Sequence, residues 1–288
     1  RKPLVVSLPA GAVAGDVWRA LGWKVSKWSL DYLNESAGPE WVYASCLSRG
    51  APRKFGYSAQ RRLMRFRQLL DKRRKGAPCY LNTQGMKTET YQPPLHRALA
   101  SDVPVPDLLP LLGRKLERVT LWMGSALDSG EEKVQGEAEE CSAQMNASNA
   151  SGCLCGSGTG HMSRFHHDTQ DNVIAVMEGE KHYTLFPPWQ ANNLYTVGEI
   201  ARIDASGRIL YTSDVGHGNN HGVHFSLVPN VFQPSDADLE QFPRMRHAMS
   251  EGGRVTLGSG DLLYIPSGWF HQVRSCCTHS AINFWWDV

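Results

Sequence analysis

The triplet His166-His167-Asp168, set just ahead of the apolar run Asn172-Val-Ile-Ala-Val-Met, constrains the fold more than any other feature of the chain. On an extended chain residues i and i+2 face one side, so His166 and Asp168 point together and His167 points away. A third candidate ligand, His271, lies far downstream at the end of Leu263-Tyr-Ile-Pro-Ser-Gly-Trp-Phe-His271. A strand pair plus a distant imidazole is how a barrel assembles a 2-His-1-carboxylate face. Such a face leaves positions open on an octahedral Fe(II) for a co-substrate and O2. Imidazoles and one carboxylate, without thiolates, suit iron better than structural zinc.

The sequence around the triplet is that of a β-protein. From residue 163 onward short apolar runs alternate with turn signals such as Gly179-Glu-Lys and Gly258-Ser-Gly-Asp. Short strands with Gly and Pro turns and few helices predict an antiparallel barrel or jelly roll. The 288 residues are 41% hydrophobic, enough for a large core, which excludes a disordered or fibrous chain. No stretch reaches the ~18 apolar residues that span a bilayer, so no membrane partner is expected. Seven cysteines, an odd number in a chain this long, are no disulfide framework and favour a reducing compartment, cytoplasmic or nuclear. The chain starts at Arg1 rather than Met, as expected of a piece of a longer protein.

The first 125 residues read as a mixed helical and strand region. Ser26 or Ser29 can cap a helix through Trp28-Ser-Leu-Asp-Tyr-Leu33, and Trp41-Val-Tyr-Ala, Cys79-Tyr-Leu-Asn and Val119-Thr-Leu-Trp-Met-Gly read as strands. Residues 92–113, with five prolines and the Leu-rich stretch Leu108–Leu112, predict a loop plus one short helix. Between 49 and 75 eleven basic residues face one acid, Asp71. Leu63, Phe66, Leu69 and Leu70 recur there at helical spacing, which predicts an amphipathic basic helix over 61–75. That helix is either a solvated face or a surface for a polyanion such as tRNA. Residues 126–160 are rich in Ser, Gly, Ala, Asn and Glu and read as a flexible insertion. Asn146 and Asn149 there fit a glycosylation pattern that means little without a secretory signal. Cys141, Cys153 and Cys155, with His161, are weak candidates for a zinc clip.

Two further polar residues stand out. Lys181 begins the strand after the Gly179 turn and can project inward to meet a carboxylate. Asn283 sits in the apolar strand Ala281-Ile-Asn-Phe-Trp-Trp, where an amide must find partners or cost a few kcal/mol.

Taken in order, His166-His-Asp-Thr-Gln-Asp-Asn172, Gly179-Glu-Lys181-His-Tyr-Thr-Leu-Phe-Pro-Pro188, Gly260-Asp-Leu-Leu-Tyr-Ile-Pro-Ser-Gly-Trp-Phe-His271 and Ile282-Asn-Phe-Trp-Trp286 resemble the JmjC family. The likeness is to its small cupin-like hydroxylases, a group with asparaginyl and lysyl hydroxylases and the tRNA wybutosine-pathway hydroxylase. Weaker likeness extends upstream through Lys27-Trp-Ser-Leu-Asp-Tyr-Leu and Tyr80-Leu-Asn-Thr-Gln.

The resemblance implies a mainly β fold, a double-stranded β-helix with flanking N-terminal helices. It implies one domain over 1–288: an N-terminal part (1–125), the insertion (126–160) and the metal-binding core (161–288). It implies Fe(II) on His166, Asp168 and His271, with 2-oxoglutarate and O2 as co-substrates and Lys181 paired to the distal carboxylate of 2-oxoglutarate. Tyr80 and Ser163 fall where relatives hydrogen-bond that carboxylate, and Ser163 stands where some have Thr. Asn172 and Asn283 match amides that orient the co-substrate, and Trp285 matches an aromatic behind the iron.

The implied reaction is hydroxylation of a protein side chain with decarboxylation of 2-oxoglutarate to succinate. A tRNA base and a methylated histone lysine are the alternative substrates. A metal-binding cupin without oxygenase activity is the non-enzymatic alternative, and Lys181 and Tyr80 speak against it. Relatives dimerise through C-terminal helices; none is predicted before Val288, which leaves a monomer or a trimmed chain.

Overall fold

The computed structural model describes residues 1–9, 11–46, 61–77, 79–82, 94–105, 114–125, 161–212, 222–275 and 278–287. The expected insertion, with Asn146, Asn149 and the three cysteines of the weak zinc clip, lies outside these residues, as do Leu108–Leu112. The strands are β1 (Leu4–Val6), β2 (Trp41–Cys46), β3 (Arg61–Arg65), β4 (Cys79–Asn82), β5 (Leu116–Gly124), β6 (His161–Met162), β7 (His166–His167) and β8 (Asp171–Glu178). They continue with β9 (Lys181–Phe186), β10 (Ile200–Ile203), β11 (Ile209–Tyr211), β12 (Gly253–Leu257), β13 (Leu262–Ile265), β14 (Phe270–Ser275) and β15 (His279–Trp286). The α-helices are α1 (Ala14–Ala20), α2 (Leu30–Ala37), α3 (Phe66–Arg74), α4 (Pro94–Leu99), α5 (Asp236–Gln241) and α6 (Met245–Met249).

The strands form two facing antiparallel sheets and a small hairpin. The large sheet runs β1-β13-β8-β15-β5-β4-β2-β3, and the small one runs β12-β9-β14-β6, with β7 also on β14. The hairpin is β10-β11. The double-stranded β-helix expected from the resemblance is the architecture observed.

Strand β15 explains why the sheets stack as they do. Every residue from His279 to Trp286 is buried, so the strand is covered on both faces and reads as one apolar run. Ile282, Phe284 and Trp286 join a core with Trp18, Trp23, Leu33, Phe66, Leu69 and Leu70 of the N-terminal helical layer. Ala281 faces the other way, into a cluster between the sheets with Ile174, Val176, Tyr183, Leu185 and Leu263. Asn283 and Trp285 share the parity of Ala281 and face the same lumen. A third cluster, with Phe165, Phe186, Leu194, Met245 and Phe270, covers the outside of the small sheet with the segment between β9 and β12.

The segment 61–75 departs from expectation. Arg61–Arg65 is a strand on β2, with Trp41 opposite Arg65 and Tyr43 opposite Leu63. The helix starts only at Phe66, where the Gln68 side chain accepts from the Arg65 N–H at 2.8 Å. Helical spacing holds for Phe66, Leu69 and Leu70, which are buried, whereas Leu63 belongs to the strand and is 45% exposed. Strand pairing with β2 overrides the local period. Among the described residues of 92–113 a helix runs over Pro94–Leu99, and the cap of α2 is Ser29, which accepts from the Tyr32 N–H at 3.1 Å.

The basic character of α3 is partly internal. Arg73 reaches across the sheet, donates to the carbonyls of Gly124 at 3.2 Å and His279 at 3.0 Å, and pairs with Glu178. Its side chain is 7% exposed. Arg73→Ala is therefore expected to lower the unfolding free energy by about 1–3 kcal/mol, because it leaves the Gly124 and His279 carbonyls without this donor. Urea unfolding measures this. Arg73→Lys is expected to recover less than half of the loss, since an ammonium cannot reproduce the fork. Arg74 pairs with Asp31 at 2.5 Å, and Arg65 lies over Trp41 at 3.9 Å.

Candidate functional site

Register brings the three sequence-separated ligands together. In β14, His271 stands opposite His166 of β7 on one side and Leu185 of β9 on the other. One donor atom from each of His166, Asp168 and His271 falls within 4.8 Å of the others. His271 Nε2 is 3.4 Å from Asp168 Oδ2, and His166 Nε2 is 3.9 Å from Asp168 Oδ1. His167 points away as expected: its ring is buried, with Nε2 2.6 Å from the Tyr211 hydroxyl.

The hydrogen bonds of the two imidazoles fix which nitrogen faces the cluster. His166 Nδ1 lies 2.7 Å from the Arg164 carbonyl, and His271 Nδ1 lies 3.0 Å from the Trp269 carbonyl. A carbonyl only accepts, so both Nδ1 atoms carry protons and both Nε2 atoms present lone pairs toward Asp168. Burial lowers His166 to about 4, so its ring is neutral, as a ligand must be. For Asp168, burial pushes upward, but His166, His271 and Arg118 outweigh it and hold the carboxyl below its ordinary range. Asp168 Oδ2 is buried without a hydrogen-bond partner among the described residues. An orphaned carboxylate oxygen facing two imidazole lone pairs fits a divalent metal and little else.

Turns hold this face in place. Gly268 N–H donates to the Asp168 carbonyl at 2.9 Å, and Ser267 Oγ donates to the Thr169 carbonyl at 2.9 Å. The turn after Pro266, expected to aim the following strand inward, thus ties His271 to the Asp168 segment. Gly268 has φ +81, and a Cβ there would lie 2.0 Å from the Gly207 carbonyl oxygen, so no side chain fits. Buried Asp171 anchors the same turn: it accepts from Ser267 N at 2.8 Å and Tyr264 at 3.0 Å, and pairs with Arg114 at 2.6 Å and Arg1 at 3.1 Å.

A second polar group lines the lumen deeper in. Lys181 is 3% exposed, and its Nζ donates to Ser275 Oγ at 2.9 Å, directly opposite in register. No carboxylate lies within ion-pair distance of it among the described residues. Burial lowers Lys181 to about 7. Tyr80 packs against His161 and His279, with ring centroids at 5.1 and 5.5 Å, and burial pushes its hydroxyl up. His161, read from sequence as part of a weak zinc clip, sits here instead, its Nε2 3.1 Å from the Ser125 carbonyl.

The remaining candidates fall around these groups. Asn283 Nδ2 donates to Asn172 Oδ1 at 3.0 Å, so the two amides meet across β15 and β8. Ser163 Oγ accepts from Val273 N–H at 2.9 Å. Trp285 stands between Asn172 and Arg118 in register, with the Arg118 guanidinium 4.7 Å from its ring centre.

A family model described as the cupin-like domain matches residues 2–288. The chain belongs to the cupin-like domain family. Among curated relatives of this cupin-like chain, it is 24% identical to the lysine-specific demethylase JMJ30 of Arabidopsis thaliana over 91% of the chain and 46% of that protein. It is 32% identical to the lysine-specific demethylase JMJ31 of the same plant over 43% of the chain and 19% of the relative. It is 26% identical to the human bifunctional peptidase and (3S)-lysyl hydroxylase JMJD7 over 44% of the chain and 38% of the relative. The chain spans less than half the length of each of these three. Among the described residues no helix is long and apolar enough to cross a membrane.

Sequence reasoning did not single out Ser275, His279 or Arg118 as parts of this cupin site. Ser275 was within reach, because it shares the inward parity of His271 on one strand. His279 and Arg118 carried no signal, because their roles depend on neighbours from other strands.

Proposed function

We propose that this cupin-like domain is an Fe(II)- and 2-oxoglutarate-dependent oxygenase that hydroxylates a protein side chain. The observation that carries the reading is one lumen holding both the His166–Asp168–His271 donor face and a buried lysine with no carboxylate in ion-pair distance among the described residues. When bound, Fe(II) and 2-oxoglutarate supply the oxidising chemistry, with O2 consumed and 2-oxoglutarate decarboxylated to succinate.

The residues do the rest. His166, Asp168 and His271 would hold the metal. Lys181 supplies the charge for the distal carboxylate, and Tyr80 and Ser163 supply hydroxyls near it. Four residues of strand separate the level of Lys181 from that of Leu185 opposite His271, or about 13 Å. That separation leaves room for a five-carbon diacid between the lysine and the donor face. Asn172, Asn283 and Trp285 fill the wall beside the face and exclude water.

A protein substrate agrees with the names of the relatives, which include lysine demethylases and a lysyl hydroxylase. The tRNA alternative rests on the basic segment, in which Arg65, Arg73 and Arg74 bond within the fold, and on the likeness of Lys27-Trp-Ser-Leu-Asp-Tyr-Leu to the wybutosine hydroxylase. The chain is read as one domain because β2, β3 and β4 extend the sheet that carries β8 and β15.

Succinate release from 2-oxoglutarate, with anaerobically loaded Fe(II), tests the reading without knowledge of the prime substrate. Turnover by the wild type that vanishes in His166→Ala and Lys181→Ala is expected. Neither turnover nor 2-oxoglutarate binding by the wild type would leave a metal-bearing cupin instead.

A further inference from the structure

Arg118 has no role in the site so far. It lies in β5 opposite Trp285, which in turn stands opposite Asn172. Its guanidinium sits over the Trp285 ring, 4.7 Å from the centre. Its Nε is buried and has no hydrogen-bond partner among the described residues. It lies close enough to Asp168 for the two charges to be felt, yet no ion pair forms between them.

Two other well-covered arginines each have a carboxylate: Arg73 has Glu178, and Arg114 has Asp171. Arg118 has none among the described residues. Its sequence neighbour Glu117, on the other face of β5, is bonded by Gln170 Nε2 at 2.8 Å. A guanidinium that is partly desolvated, set over an aromatic ring and left without an anion among the described residues is costly unless a ligand supplies the anion. Its fixed fork matches a carboxylate, the anion that a 2-oxo acid or an acidic side chain brings.

We propose that Arg118 is a specificity-determining residue of the candidate site, binding a carboxylate that a ligand brings beside the His166–Asp168–His271 face. Two ligands can bring one: the 2-oxo acid end of the co-substrate, or an acidic side chain of the prime substrate. Either way a substrate bringing a cation to this wall is disfavoured. The proposal rests on the oxygenase reading.

The full chain, loaded with Mn(II), is titrated calorimetrically with 2-oxoglutarate as wild type, R118K and R118M. If the co-substrate is the source, R118M weakens binding about tenfold or more and R118K recovers part of the loss, because a charge-assisted pair is removed and partly restored. If 2-oxoglutarate affinity is unchanged, degenerate peptide pools with a central Asp or Lys are added to the Fe(II)-loaded protein. An acidic substrate then shows as succinate release stimulated by the Asp pool in wild type and R118K, and lost in R118M. A merely structural stacking role would move only the melting temperature, which is measured for each variant. Unchanged 2-oxoglutarate affinity with no Arg118-dependent response to the Asp pool overturns the proposal. A wild type that binds no 2-oxoglutarate overturns the oxygenase reading itself, and this proposal with it.

Discussion

Lys181→Met is expected to abolish 2-oxoglutarate binding and at the same time make the ligand-free protein more stable. Lys181 is buried, and burial lowers it to about 7. In the unfolded chain it titrates near its ordinary value of about 10.4. Between these values the unfolded state holds more protons, so stability rises with pH from about 7 to about 10. Below pH 7 the full cost of burying the ammonium is present. Met fills the same volume without that cost, although Ser275 loses its donor. The net gain at neutral pH is on the order of 2 kcal/mol, read as a higher melting temperature.

Ligand binding has the opposite dependence. A carboxylate beside Lys181 favours the ammonium, so affinity for 2-oxoglutarate is expected to fall as pH rises above about 7, by up to about tenfold per unit. Titrations of the Mn(II)-loaded protein at pH 6.5 and 8.5 measure this. A pH-independent affinity, or a Lys181→Met protein that binds as wild type does, would remove Lys181 from the site.

Asp168→Ala and His271→Ala are each expected to reduce Co(II) affinity by more than about 100-fold, followed by the visible absorption of the bound ion. Asp168→Asn, which keeps the shape and removes the charge, is expected to leave the metal-free fold close to wild type in stability. Asp168 Oδ2 is buried and unbonded among the described residues, so removing the charge breaks no hydrogen bond at that oxygen. A large loss of stability on removing Asp168 would mean that the carboxylate serves the fold and would count against a metal.

The sequence alone determined the chemistry of the face and the class of fold. Alternation on a strand requires His166 and Asp168 to share a side, and buried strands such as β8 and β15 read as unbroken apolar runs because both faces are covered. The inward direction of Lys181 and Asn283 was legible for the same reason: a period of two leaves few choices. Where several strands meet, the sequence was silent. That Asn172 and Asn283 bond each other, that Ser275 takes the Lys181 ammonium, and that Arg118 stands over Trp285 all follow from register between strands far apart in the chain. Register is set by the whole sheet and leaves no local trace. The basic segment makes the same point in reverse. Its local period suggested one helix, but pairing of Arg61–Arg65 with β2 contributes ladder bonds that an isolated helical turn cannot match, so the tertiary structure turned half of it into a strand and aimed Arg73 inward.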